Sequence, residues 1–165
     1  MWAESRNRRA LVADKGDVWF INGQPLADVQ QLIADVSTRA RDGAAVRFGL
    51  SAFVIARNTE AEARDHLDHL FELAAKDAPL RAVVKQNSDP KTVMHQTFSK
   101  SARVGTNGGT AAGLVGSYEM VAERIVEFHR AGIELFMLQF QPFETDMRRF
   151  AHEVIPRVRE LADGK

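Results

Sequence analysis

The chain has 165 residues, 22 basic and 22 acidic side chains, and no cysteine. The formal net charge of zero argues against nucleic acid or an anionic membrane as a partner, the longest apolar runs are too short to cross a bilayer, and disulfide and thiol chemistry are excluded. We therefore expect one compact domain over residues 1–165, soluble and cytoplasmic, with no membrane or nucleic-acid partner.

Alternating helix and strand patterns run through the first half of the chain. Apolar side chains at helical spacing indicate helices, and runs rich in Val, Phe and Ile indicate strands. Pro25 suits the first turn of a helix, and Gly43 suits its end. The predicted elements are a helix over 5–14, a buried strand over 17–23, a helix over 25–43, a strand over 45–59 and a helix over 60–76.

The second half is irregular at first and then returns to the same alternation. Ser117 is a suitable N-cap for one helix, and Pro156 is expected to bend the last one. The predicted elements are a short helix within 89–102, a strand over 114–116, a helix over 117–132, a fully buried strand over 133–140 and a helix over 142–161.

The order is strand then helix, repeated four times after a leading helix. The strands are apolar throughout rather than alternating, which is typical of a parallel sheet covered by helices. The sequence therefore predicts an α/β domain with about four parallel strands in one open sheet, without a second domain, a low-complexity tract or a clear repeat.

A glycine-rich segment, RVGTNGGTAAG at 103–113, precedes the strand at 114–116. It contains neither GxGxxG nor GxxxxGK[ST], and a long irregular segment rather than a strand lies before it, which argues against a dinucleotide site. Two interpretations stay open. The glycines can permit positive φ angles in a loop, or the following helix N-terminus can favour the phosphate of a flavin or a substrate.

Three stretches, taken in order, resemble the bacterial luciferase-like flavin monooxygenases. Residues 17–23 (DVWFING) resemble the fifth strand of that family, and residues 46–64 (VRFGLSAFVIARNTEAEAR) resemble its sixth strand and the following helix. Residues 113–158, from GLVGSYEMVAERI to FAHEVIPRV, resemble its carboxy-terminal end. The resemblance covers almost the whole chain and is strongest to the dimethylsulfone and alkanesulfonate monooxygenases.

Members of that family are (β/α)8 TIM barrels of roughly twice this length. The resemblance therefore implies an α/β carboxy-terminal half-barrel, with strands five to eight. It also implies reduced FMN as cofactor, supplied by a separate NAD(P)H-dependent flavin reductase, with O2 and a small organosulfur-type molecule as the other reactants. The glycine-rich segment, within a mobile loop at about 99–113, would be the lid over the active site.

The resemblance further implies site residues, although none is assigned a catalytic role. Ser5 matches a phosphate-contacting serine and Arg6 could add charge, while helix capping is the alternative role of Ser5. Ser51 and Phe53 stand where the alkanesulfonate enzymes have an arginine and a histidine, which favours a neutral or apolar substrate. The other substrate and lid candidates are Arg103, Asn107, Gly108, Gly109, Phe140 and Gln141. Phe53 and Phe140 can equally be ordinary barrel core.

Other interpretations remain beside the monooxygenase. A half-barrel exposes two strand edges and the barrel interior, so the chain can be a non-catalytic, truncated half that forms a homo-oligomer or pairs with a separate amino-terminal half. It can also bind or carry flavin without oxygenation. Glu62, His66 and His69 share one helix face at a spacing that can hold a metal, but their acidic neighbours indicate a solvated face, and we expect no metal site.

Overall fold

The computed structural model describes residues 6–76, 79, 82–83, 86–87 and 109–164. The elements in this part of the chain are α1 (Arg6–Lys15), β1 (Val18–Asn22), α2 (Leu26–Ser37), β2 (Arg47–Phe53), β3 (Ile55–Arg57), α3 (Glu60–Lys76), a 3-10 helix (Gly109–Ala112), β4 (Val115–Ser117), α4 (Tyr118–Arg130), β5 (Ile133–Gln139), α5 (Phe143–Arg149), a π-helical segment (Phe150–Val154) and α6 (Ile155–Asp163). No helix among these residues is long and apolar enough to span a membrane.

Two parallel sheets meet at Val54. β2 is the central strand of a three-stranded sheet, with β1 on one side and β5 on the other. The chain leaves this sheet at Val54 and continues as β3, which pairs with β4 in a second sheet. The predicted alternation of parallel strands and helices is confirmed. The prediction of a single four-stranded sheet is wrong. β4 has only three residues and pairs with β3, while β2 pairs directly with β5.

The main hydrophobic core lies between the three-stranded sheet and the helices. Val121, Ile125 and Phe128 follow one another at helical spacing on α4, and all three are buried. They belong to one cluster with Leu50 of β2 and Ile133 of β5. Full burial of a large apolar side chain contributes about 1.5 to 3 kcal/mol, so this shared face fixes the helix against the sheet.

The opposite side of the three-stranded sheet is partly open to solvent. In β1, Trp19 and Ile21 are buried, whereas Val18 and Phe20 are 38% and 42% exposed. This alternation is that of a strand with one covered face. The prediction of a buried strand over 17–23 is therefore wrong for one of its two faces, since a continuous apolar run does not reveal whether both faces have a covering layer.

β5 shows the same asymmetry. Of its seven residues only Ile133 is buried, and Met137 is 46% exposed, so the prediction of a fully buried strand over 133–140 is wrong. The strand registers place the exposed side chains of β1 and β5 on one common side of the sheet. We call this surface the inner face; its middle consists of Val18, Phe20, Gly49, Ser51, Leu135 and Met137, with Arg47 at one end and Asn22, Phe53 and Gln139 at the carboxyl end of the strands.

Three predicted helices are found with small changes at their ends. The helix over 60–76 has the predicted bounds. α4 begins after Ser117, whose hydroxyl accepts a hydrogen bond from the N–H of Met120 at 3.2 Å, so the predicted N-cap is confirmed. α2 ends at Ser37 rather than at residue 43: the N–H of Thr38 still bonds to the carbonyl of Ala34, but the N–H of Arg39 bonds to that of Val36, three residues back, as the last turn tightens.

The last helical region is continuous but irregular. α5 runs into the π-helical segment (Phe150–Val154), and α6 begins immediately after it, with Pro156 in its first turn. Proline has no N–H and its ring crowds the carbonyl four residues earlier, which widens the preceding turn. A π-helical segment thus lies directly before Pro156, near which the sequence predicts a bend.

Candidate functional site

Polar side chains collect where the three parallel strands end. Asn22 is the last residue of β1 and lies opposite Ser51 of β2, and Gln139 is the last residue of β5 and lies opposite Phe53. The backbone fixes this edge, since the N–H of Gly23 donates to the carbonyl of Ser51 at 2.7 Å. The carboxyl ends of parallel strands are where TIM-barrel enzymes place their active sites, so this edge is the first candidate site.

Ser51 is the predicted site residue that lies most clearly in this edge. Its side chain is 2% exposed, and its strand neighbours on the inner face are Asn22 and Met137. A hydroxyl both donates and accepts hydrogen bonds. Ser51 thus places one buried polar group at the boundary between the apolar inner face and the polar strand ends.

The two predicted aromatic residues pack into the interior. Phe53 is 5% exposed and lies in a small second core with Ile55 and Leu70. Phe140 is partly buried, and its ring centroid lies 5.4 Å from that of Phe150. Both rings therefore have packing roles in this structure, and their proposed contact with substrate stays a prediction.

Gln141 follows β5 and is exposed. Its carbonyl oxygen accepts a hydrogen bond from Nε2 of His66 in α3 at 3.0 Å, and its peptide bond to Pro142 is cis. The contact joins the end of β5 to the helix that follows β3. The Gln141 residue is therefore bound to His66 through its backbone carbonyl rather than through its side chain.

The remaining predicted residues lie at or beyond the limits of the described chain. Arg6 is the first residue of α1, and Gly109 begins the 3-10 helix with a φ of 59°. Gly113, with a φ of 74°, follows that turn, so these two glycines of the glycine-rich segment do adopt the left-handed conformation that favours glycine. Ser5, Arg103, Gly105, Asn107 and Gly108 and the helix predicted within 89–102 lie outside the described residues.

A polar cleft that sequence reasoning missed lies beside this edge, at the ends of β3 and β4. Asp146 of α5 is 5% exposed, and its Oδ1 accepts a 2.6 Å hydrogen bond from Nη1 of Arg149. Its Oδ2 lies 3.0 Å from Nη2 of Arg57, an ionic contact rather than an aligned hydrogen bond. Because two arginines surround one carboxylate, the cluster keeps a surplus positive charge. The sequence offered one weak signal for this cluster: the charged residue Arg57 directly follows the apolar run that forms β2 and β3.

The cleft has a volume of about 540 Å³ and an electrically mixed lining. Beside the two arginines, its lining comprises Asn58, Glu62, Asp65, His66, His69 and Tyr118. The guanidinium of Arg157 lies 5.6 Å from the Tyr118 ring centre. The metal candidates Glu62, His66 and His69 therefore line one cleft, but in the described part of the chain no three or more His, Cys, Asp or Glu side chains are placed to hold one ion.

Comparison of the chain with known proteins identifies a family to which it is similar. Residues 2–135 match the family model described as luciferase-like monooxygenase. Two curated relatives are FMNH2-dependent dimethylsulfone monooxygenases, from Pseudomonas putida (32% identical over 163 residues) and from Pseudomonas fluorescens strain Pf0-1 (31% identical). Each match takes in 95% of this chain but 45% of the relative, so the chain spans about half the length of the curated relatives it matches.

Two solved structures share the fold. A riboflavin lyase crystallised with modified FMN and riboflavin superimposes with a TM-score of 0.64 at 18% identity, over 94% of this chain and 41% of that one. A long-chain alkane monooxygenase superimposes with a TM-score of 0.69 at 16% identity, over 96% of this chain and 40% of that one. The predicted class, half of a (β/α)8 TIM barrel, is confirmed.

Proposed function

Because the chain belongs to the luciferase-like monooxygenase family, we propose that it forms the carboxy-terminal half of the active site of a reduced-flavin-dependent monooxygenase. The observation that carries the proposal is the 32% identity over 163 residues to an enzyme named for its dependence on FMNH2. The cluster of Asn22, Ser51 and Gln139 at the carboxyl edge supports it, since this is the edge at which TIM-barrel enzymes act.

Reduced FMN is the proposed cofactor, and the described residues include side chains of the chemical types that can bind it. The inner face offers apolar side chains to a planar ring, and Ser51, Asn22 and Gln139 offer hydroxyl and amide groups to the polar edge of that ring. We keep Ser5 and Arg6, before and at the start of α1, as proposed phosphate contacts. When bound, reduced flavin supplies the electrons that activate O2, and we propose that a separate NAD(P)H-dependent reductase delivers it.

The proposed substrate is a small, neutral organosulfur compound. The described residues at the carboxyl end of the three-stranded sheet (Asn22, Ser51, Phe53 and Gln139) carry no charge, so they offer no ion pair to a sulfonate. The arginine on the same side of β2, Arg47, lies at the other end of the strand and pairs with Glu134 at 2.8 Å. In this arrangement the chain contributes binding, orientation and exclusion of water.

A half-barrel needs a further polypeptide surface to enclose a reaction, since water must be kept from a reactive site. We propose that this surface comes from an amino-terminal half-barrel, with self-association as the competing arrangement. The non-catalytic and flavin-carrying interpretations remain as outcomes of the experiment below.

The test is an anaerobic fluorescence titration of the chain with reduced FMN, followed by measurement of dimethylsulfone consumption in the presence of O2 while a flavin reductase and NADH supply reduced flavin. We expect saturable binding, and consumption of the sulfone that requires the chain; free reduced flavin takes up O2 by itself, so O2 uptake alone is not the readout. Binding without consumption of the sulfone would indicate a flavin carrier. Absence of saturable binding at high micromolar flavin, for the chain alone and together with an amino-terminal half, would contradict the proposal.

A further inference from the structure

The polar cleft beside the carboxyl edge is separate from the residues proposed to meet the flavin. Among the described residues, its lining includes none of Asn22, Ser51 and Gln139. Its side chains come instead from α3, from α5 and from the ends of β3 and β4. The volume of about 540 Å³ lies within the range of small-molecule sites. The cleft can therefore hold a small organic molecule, and the proposed function leaves it without a role.

One wall of the cleft carries a guanidinium group that a buried carboxylate holds in place. Nη1 of Arg149 donates to Oδ1 of Asp146 at 2.6 Å, and Asp146 is buried against Arg57. Arg149 has no other partner among the described residues, so its Nε and Nη2 keep their donor capacity. A planar guanidinium with two free N–H groups can bind a carboxylate through two parallel hydrogen bonds.

A second wall, formed by α3, carries an acidic side chain that no described residue neutralises. Glu62, Asp65, His66 and His69 follow one another at helical spacing and all line the cleft. Glu62 is engaged, since its Oε2 accepts the N–H of Thr59 at 3.1 Å in a capping box. Asp65 has no ion-pair or hydrogen-bond partner in the described part of the chain. Its negative charge is therefore available to a ligand.

Two uncharged polar groups also line the cleft. Asn58 directly follows β3, and Tyr118 is the first residue of α4. The amide of Asn58 and the hydroxyl of Tyr118 can each take part in hydrogen bonds as donor and as acceptor. The guanidinium of Arg157 lies 5.6 Å from the Tyr118 ring centre, which restricts the movement of the ring. The lining thus offers both kinds of hydrogen bond as well as charges of both signs.

The mixture of charges selects the class of ligand. A simple anion would meet the carboxylates of Glu62 and Asp65, and a simple cation would meet the surplus positive charge of the arginines, so each would be attracted by one wall and repelled by the other. A molecule that carries both charges is attracted by both walls. We propose that the cleft binds a small amino-carboxylate zwitterion, with its carboxylate at Nε and Nη2 of Arg149 and its ammonium group at Asp65. This site is additional to the proposed flavin reaction and does not depend on it.

The experiment is a ligand titration of the isotope-labelled chain, without flavin, followed by two-dimensional NMR. The zwitterionic probes are glycine, β-alanine and γ-aminobutyrate, in which the distance between the two charges increases stepwise. Propionate and propylammonium carry the single charges, and all samples have the same ionic strength because salt screens such contacts. The variants Arg149→Gln and Asp65→Asn remove one charge from each wall. Their matched controls are Arg148→Gln and Asp68→Asn, at exposed positions on the same two helices that do not line the cleft.

We expect at least one zwitterion to shift the amide signals of Asn58 and Tyr118 saturably, with a dissociation constant of about 1 mM, which a few charge-assisted contacts at an open site can supply. Arg149→Gln and Asp65→Asn should each weaken this binding about tenfold, whereas the two controls should bind as the native chain does. Because Asp65 is exposed, Asp65→Asn gives an answer even if Arg149→Gln fails to fold.

Two kinds of result would contradict the proposal. Binding of propionate or propylammonium as tight as that of the best zwitterion would overturn the class of ligand. Absence of saturable shifts with every zwitterion at tens of millimolar, or equal affinity of the Asp65→Asn and Asp68→Asn variants, would overturn the site.

Discussion

The ring of Phe20 lies directly over Gly49 on the neighbouring strand. The two residues are register partners in β1 and β2, and a Cβ atom built on Gly49 would come within 2.5 Å of ring carbons of Phe20. The absence of a side chain at Gly49 therefore makes the space into which the ring folds. Without that space the ring would have to stand away from the sheet.

This relationship predicts that Gly49→Ala destabilises the chain through the ring rather than through the backbone. Because Phe20 is 42% exposed, its ring can move aside, and we expect a loss of about 1 to 2 kcal/mol, typical of mild overpacking. Urea denaturation of the single variants and of the Phe20→Ala, Gly49→Ala double variant measures the coupling. If Gly49→Ala costs as much in the Phe20→Ala background as in the native chain, the ring is not the cause.

A second prediction concerns the buried carboxylate between two arginines. Asp146→Asn leaves Arg57, whose side chain is 13% exposed, without its counter-charge. We expect the free energy of unfolding to fall by about 2 to 3 kcal/mol, below the full range for completely buried pairs because Arg149 is partly exposed.

The matched control for Asp146→Asn is Glu144→Gln, two residues earlier. Glu144 pairs with Arg148, and both side chains are about 70% exposed (71% and 69%), so this change should cost no more than about 0.5 kcal/mol. Equal losses for the two variants in urea denaturation would show that the Asp146 cluster is no stronger than a surface pair.

A third prediction tests the N-cap of α4. Ser117→Ala removes the oxygen that accepts the N–H of Met120, and we expect a loss of about 1 kcal/mol, whereas Ser117→Asp should keep most of the stability. Thermal unfolding followed by circular dichroism compares the two variants. A similar loss for both would mean that packing around residue 117, rather than the cap, sets the effect.

The fourth prediction concerns the proposed flavin contact of Ser51. Ser51→Ala should weaken binding of reduced FMN about tenfold, since a hydrogen bond contributes about 1 to 1.5 kcal/mol. Ser37→Ala, at the exposed end of α2, is the control and should bind as the native chain does. The anaerobic titration described above measures both. Unchanged affinity of Ser51→Ala, in a chain that does bind flavin, removes Ser51 from the site.

Local patterns were sufficient for much of the fold. The acidic start and basic end of α3 and the serine before α4 are local signals, and both helices begin where those signals predict. The half-barrel class came from the resemblance, not from periodicity. The open inner face was not predictable from β1 or β5 alone. A short continuous apolar sequence does not distinguish a strand that is packed on one face from a strand that is packed on both.

The candidate site was predictable only in part. Ser51 could be placed at a strand end because the resemblance supplied its position, and the structure puts it among Asn22 and Met137. The Asp146 cluster was not predictable, since Arg57 and Asp146 lie on elements far apart in the chain and their contact depends on tertiary packing. Stability contacts of this kind leave no spacing pattern in a sequence.

The junction at Val54 has a consequence for how the two sheets open. The N–H of Val54 donates to the carbonyl of Gln139 at 3.0 Å, and the N–H of the next residue, Ile55, donates to the carbonyl of Leu114 at 2.9 Å. Two successive amides thus belong to different sheets. Their hydrogen–deuterium exchange rates therefore compare the opening of the two sheets within one molecule. Equal protection would show that both sheets unfold as one cooperative unit, and faster exchange at Ile55 would show that the small sheet opens first.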